Sequence, residues 1–140
     1  MLNNFIKNIK NLSTNSKINQ NNILNVTYKA WCKINSILQQ SNNNAMILNI
    51  SSGGCNGFNY KLSILDSNIY TDYEHYNFLH DSKNNNKLYI EPLSEIYVIG
   101  TNIDYMEQDY TKNIYESKFV FTPDKKMATS CGCGVSFALK

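Results

Sequence analysis

Apolar residues along this chain fall into one stretch of helical recurrence and several of strand alternation. Val26, Ala30, Ile34, Ile37 and Leu38 recur at three- and four-residue steps, which predicts one amphipathic helix over residues 26–40. Thr27 falls near its start, and the polar run Ser41-Asn42-Asn43-Asn44 ends it. Residues 45–50 alternate loosely as a strand, a Gly-containing turn over 51–54 presents Cys55, and residues 58–65 return as a second strand with Phe58, Tyr60, Leu62 and Ile64 on one face. The pair predicts a hairpin with a thiol at its tip. Farther along, strands are expected over 88–90, 102–108 and 115–122, the last closed by Pro123, with a short helical turn over 93–99 after Pro92. The sum is a compact, β-dominated α+β domain with one N-terminal helix, a short second helix and a flexible C-terminal tail.

At 140 residues the chain supports one domain with a modest core and room for a tail. No stretch approaches the roughly 18 consecutive apolar residues of a membrane span, so a soluble protein is expected, with no membrane partner. All 13 basic residues are lysine. Asparagine runs at 42–44 and 84–86 read as loop filler from an A/T-biased codon pool. The net charge of +2 hides an asymmetry, because all 11 acids lie at or after Asp66, leaving the N-terminal half basic. Without arginine or clustered aromatic residues this is not the pattern of a nucleic-acid binder.

Residues 1–21 stand apart. Leu2, Phe5, Ile6, Ile9 and Leu12 fall at helical spacing, Lys7, Lys10 and Lys17 occupy other positions, and no acid is present. Apart from its missing arginine this is how an organellar transit peptide looks, and a disordered basic tail is the bland alternative. The division expected is therefore an address over 1–21 and a folded domain over 22–140, with the mitochondrion as first destination and a plastid-type organelle as second.

Chemistry concentrates in the cysteines. Ser130-Cys131-Gly132-Cys133-Gly134 sets two thiols one residue apart between glycines, and a third sits upstream in Gly53-Gly54-Cys55-Asn56-Gly57. Thiolates are the soft ligands chosen by iron-sulfur clusters and zinc, and flanking glycines let the backbone bend so that sulfurs converge. A packed small hydrophobe is the usual fate of a free cysteine, but a glycine-rich turn is the wrong place for one. A Cys-x-Cys pair is badly placed to bond to itself, which argues against a disulfide framework. Three ligands are one short of the about four thiolates a cluster takes, so a second chain, a small thiol or an accepting protein must complete the site. Cys32, beside Trp31 in the predicted helix, reads as packing. His75 and His80, in an Asn-rich stretch with Asp72, Glu74 and Asp81, read as solvated surface.

At Gly53-Gly54-Cys55-Asn56-Gly57-Phe58-Asn59-Tyr60 and Cys131-Gly132-Cys133-Gly134-Val135-Ser136-Phe137 the chain resembles the A-type iron-sulfur carriers, the HesB-like family. Between these motifs, residues 90–105 look like the family's Ser, Leu or Ile, Gly and Asp-Tyr pattern. The resemblance spans residues 23–140. It departs at Phe121-Thr122-Pro123-Asp124, where the family commonly has an Asn-Pro-Asn turn, and over residues 70–87, which match poorly. It implies a β sandwich or pseudobarrel fold and a [2Fe-2S] or [4Fe-4S] cluster, or mononuclear iron, on Cys55, Cys131 and Cys133. It also implies a homodimer or tetramer, in which Tyr105 helps line the subunit interface, with scaffold donors and apo-protein acceptors as partners.

No Ser-His-Asp layout, phosphate-binding glycine loop or nucleotide fingerprint is present, so no enzyme is expected. The competing readings are a thiol redox protein, with Cys131 or Cys133 reactive and Cys55 resolving, and a structural zinc module. The first has no Lys or His beside its thiols in sequence to lower their pKa. The second requires about four closed ligands in one chain.

Overall fold

The computed structural model describes residues 23–53, 57–130 and 134–140. Thr27 takes extended backbone and its hydroxyl accepts the Ala30 amide, so the chain turns at a polar cap into helix α1, Tyr28–Ser41. Ala30, Ile34 and Leu38, four residues apart, are wholly buried along the helix face turned to the core. Asn42 then adopts a left-handed conformation, and the amides of Asn42 and Asn43 return to the carbonyls of Gln39 and Leu38. The helix begins later than its spacing predicts because Val26 already belongs to strand β1, Leu24–Val26, which pairs in parallel with β6, Thr101–Met106.

Strand β2, Ala45–Ser52, is the spine of a six-stranded sheet. It pairs antiparallel with β3, Phe58–Ile64, and parallel with β5, Asn86–Ile90. β4, Phe78–Asp81, joins the outer side of β5, while β9, Ser136–Leu139, and β8, Ala128–Ser130, extend the sheet beyond β3. β1, β6 and β7, Lys118–Thr122, form a second, three-stranded sheet. A single-turn helix α2, Glu95–Val98, follows a 3-10 turn over Pro92–Ser94.

Both sheets and α1 share one apolar core, in which Ile34, Leu48, Ile90, Val98, Ile103 and Phe137 have no exposed surface. The sheets are also joined through the backbone. Tyr60 N–H donates to Val135 O and Phe121 N–H to Gly134 O, both at 2.8 Å, so β3 and β7 grip adjacent residues of the segment entering β9. The six-stranded sheet curls toward the three-stranded one there, giving the expected β-dominated, sandwich-like fold.

Two regions differ from expectation. The Asn-rich stretch holds strand β4, and its asparagines are structural rather than filler. The Asp81 carboxylate accepts from Asn84 and Asn35 and from the Lys83 amide, bonds that hold it below the usual carboxylate range, Asn84 foremost. Asn85 takes the left-handed turn position between β4 and β5. At the C-terminus, strand β8 ends at Ser130 and β9 begins at Ser136, and Phe137 is packed in the core, where a tail was expected. Whether Cys131, Gly132 and Cys133 are flexible, and whether residues 1–21 form a separate unit, are expectations that lie outside the described residues.

Candidate functional site

The cysteines Cys55, Cys131 and Cys133 lie outside the described residues, but the described residues that flank them are set by strand register. Ser52 pairs with Phe58, Phe58 with Phe137, and Phe137 with Ser130, one row across β2, β3, β9 and β8. Cys131 follows Ser130 directly, and Cys55 is three residues from Phe58. Phe58 and Ser130 are two strand spacings apart, about 10 Å, and three residues of chain reach about 10 Å. A sequence separation of more than seventy residues is thereby reduced to one that a loop can close.

Glycine borders both gaps for a conformational reason. Gly57 has φ +114° and Gly134 φ +78°, conformations that side-chain-bearing residues rarely adopt. Gly53 N–H donates to Gly57 O at 3.1 Å, clasping the base of the β2–β3 loop. The two cysteine-bearing connections leave the row in opposite strand directions, one beyond Ser52 and Phe58, the other beyond Ser130 toward the level of Tyr60. Their thiols meet if the loops fold back across the row or if two chains face each other.

Aromatic rings secure the row from beneath. Tyr97 stacks on Phe58 at 5.3 Å between centroids, Phe58 on Phe137 at 5.6 Å, and Phe137 contacts Tyr60 at 4.6 Å, which stacks on Phe121 at 4.7 Å. Burial pushes the Tyr60 hydroxyl above its ordinary pKa despite a 3.4 Å contact with Thr101 Oγ1, so it stays protonated near neutrality. This ladder escaped the sequence analysis as a unit, although the Phe58-x-Tyr60 and Phe137 positions each sit inside a cysteine motif.

The other candidates stand apart from the row. Cys32 is an exposed free thiol on α1. It lines an open groove of about 710 Å³ with Tyr28, Lys29, Lys33 and Tyr105, and its contact with the Tyr28 hydroxyl raises the pKa of that tyrosine. Tyr105 packs edge-on against Phe119 and carries the Lys33 ammonium over its ring. His80 Nε2 contacts Asn85 Oδ1 at 3.0 Å in the β4–β5 turn, and His75 ends a 3-10 turn over Tyr73–His75. Among the described residues no three His, Cys, Asp or Glu side chains gather as a metal site, and no helix is long and apolar enough to cross a membrane.

Comparison with known proteins decides the family. The chain is 35% identical over 119 residues to the iron-sulfur cluster insertion protein ErpA of Buchnera aphidicola subsp. Acyrthosiphon pisum (strain APS), covering 83% of this chain and 93% of that protein. This chain belongs to the A-type iron-sulfur carrier family. ErpA of Xylella fastidiosa (strain M23) is 33% identical, with 83% of each chain covered. The fold of the A-type carrier is shared with a crystal structure of IscA holding a [2Fe-2S] cluster, at TM-score 0.63 and 16% identity, covering 84% of this chain and 98% of that one. No family model matches the chain.

Proposed function

We propose that the chain carries an iron-sulfur cluster as cargo, taking it from an assembly scaffold and passing it to apo-proteins, with Cys55, Cys131 and Cys133 as the thiolates that hold it. The observation that supports this most is the strand row, which brings the two glycine-bordered cysteine motifs to anchor points about 10 Å apart on one sheet. The chemistry is ligand exchange rather than catalysis. A cluster held by three thiolates of one chain has a bond left for another protein's cysteine, and stepwise replacement of the remaining thiolates releases it. A [2Fe-2S] or [4Fe-4S] cluster suits soft donors of this kind, and mononuclear iron is the smaller cargo they could hold.

The opposite directions of the two cysteine-bearing connections favour a site completed between chains, in a dimer or tetramer. Cluster binding and association are then linked, since a ligand that binds only the associated form pulls the equilibrium toward it. Anaerobic sedimentation across a dilution series, following protein and iron-sulfur absorbance separately, reads both properties. The expected result is a coloured holo-oligomer that resists dilution and a colourless apo-protein that dissociates sooner. A colourless protein carrying zinc, or a coloured monomer with unchanged dissociation, contradicts the shared cluster site.

The apolar and lysine positions of residues 1–21, which carry no acid, support a reading of this segment as a mitochondrial address, with a plastid-type organelle as the alternative. A fluorescent reporter fused behind residues 1–21 is expected to enter the mitochondrion. A reporter that remains diffuse in the cytosol overturns the assignment.

A further inference from the structure

The turn between β5 and β6 exposes apolar side chains that the fold does not use. Leu93 is 82% exposed, Ile96 61% and Ile99 48%, and their three-residue spacing sets them along one side of the turn. Ser94 and Val98, between them, are buried. A single exposed leucine is ordinary on a protein surface, whereas a contiguous apolar ridge marks a place of contact.

The base of the ridge is held firmly. Ser94 Oγ donates to a Glu91 carboxylate oxygen and accepts the Ile50 amide, each at 2.8 Å, fixing the turn to β2 two residues before the row begins at Ser52. From the same turn Tyr97 reaches in to stack on Phe58, the anchor of the Cys55 loop. The ridge therefore stands beside Phe58, where the chain of the Cys55 motif enters β3.

We infer that the ridge of Leu93, Ile96 and Ile99 is the docking surface for a protein that exchanges a cluster with this chain, through an apolar segment flanked by basic residues. The inference rests on the carrier reading. Ligand exchange requires an accepting cysteine to come within bonding distance of the cluster, so surface close to the Phe58 anchor of the Cys55 motif is within reach of the partner while transfer occurs. Charge identifies the occupant. The charged side chains of the turn are Glu91 and Glu95, and there is no lysine between Leu88 and Gly100. A basic partner complements that surface, whereas a second copy meeting it across a two-fold axis would set the same glutamates against each other.

The test uses the full chain loaded with cluster under anaerobic conditions. Transfer to an apo [2Fe-2S] acceptor protein of net positive charge is followed by circular dichroism, and removal of the cluster by a small iron chelator is measured alongside. The Leu93→Ser/Ile96→Ser variant and, separately, Glu95→Lys are expected to load normally and lose cluster to the chelator at the wild-type rate, yet to transfer to that acceptor roughly tenfold more slowly. Leu93 and Ile96 are exposed, so their replacement leaves folding intact, whereas Glu95 is half-buried and accepts from Asn77, so a thermal melt of Glu95→Lys accompanies its transfer rate. Unchanged transfer by both variants overturns the docking surface while leaving the carrier reading intact. So does a variant that changes only the oligomeric state, which assigns the ridge to a second copy. If deleting residues 1–22 speeds transfer and abolishes the effect of Leu93→Ser/Ile96→Ser, the ridge belongs to the chain's own basic segment and the inference fails. Failure of the wild-type chain to load any cluster removes the carrier reading itself.

Discussion

Serine in place of Cys55, Cys131 or Cys133 is expected to remove most of the iron-sulfur absorbance obtained on anaerobic reconstitution, while Cys32→Ser keeps it. A cluster takes about four thiolates, and in the proposed site three of them come from one chain, so losing one leaves half the soft ligands or fewer in a monomer. A serine hydroxyl is a hard donor that is protonated at neutral pH and cannot replace a thiolate. Cys32 is exposed on α1 in a groove with Tyr28, Lys33 and Tyr105, none of which belongs to the row that flanks the other two cysteine motifs. Iron and sulfide content per chain, measured with the visible spectrum, checks all of these variants together. Loss of the cluster in Cys32→Ser alone would show the ligand assignment to be wrong.

Truncating Phe137 to alanine is expected to destabilise the fold by about 3–5 kcal/mol, the usual range for emptying a fully buried aromatic site. Phe137 has no exposed surface, stacks on Phe58 and contacts Tyr60, and its backbone lies between Phe58 on β3 and Ser130 on β8. The cavity would open beneath the row that anchors both cysteine motifs, so cluster retention should fall along with stability. Phe137→Leu, which keeps most of the volume, should recover much of both. Equilibrium urea unfolding gives the difference directly. A loss below about 1 kcal/mol would mean that β9 contributes little to the core and that the row is not what positions the thiols.

Helix α1 was legible because three buried positions recur four residues apart within one continuous segment and a threonine caps its start. The β2–β3 hairpin was legible for the same kind of local reason, alternation on both sides of a glycine turn. β1 was not, since its three residues pair with β6, whose register partners begin at Thr101, and nothing near Leu24 signals that partner. β4 hid in an Asn-rich stretch whose composition suggested filler, although Asn84 and Asn35 bond Asp81 and Asn85 makes the turn. β8 and β9 are three and four residues long and border a Cys-Gly-Cys-Gly run, which locally resembles a tail. The chemistry of the site could be named from its cysteines and glycines. Its assembly could not, because the row from Ser52 to Ser130 is a property of register between strands far apart in sequence.

The most direct measurement of the carrier function is cluster transfer in the presence of excess iron chelator. Holo-protein is mixed anaerobically with an apo plant-type [2Fe-2S] ferredoxin, and the acceptor's circular dichroism is followed together with the chelator's colour. Direct exchange between thiolates predicts that the ferredoxin gains its cluster spectrum while the chelator stays uncoloured, because iron does not pass through solution. A ferredoxin that remains apo while the chelator takes up all the iron would contradict the carrier account.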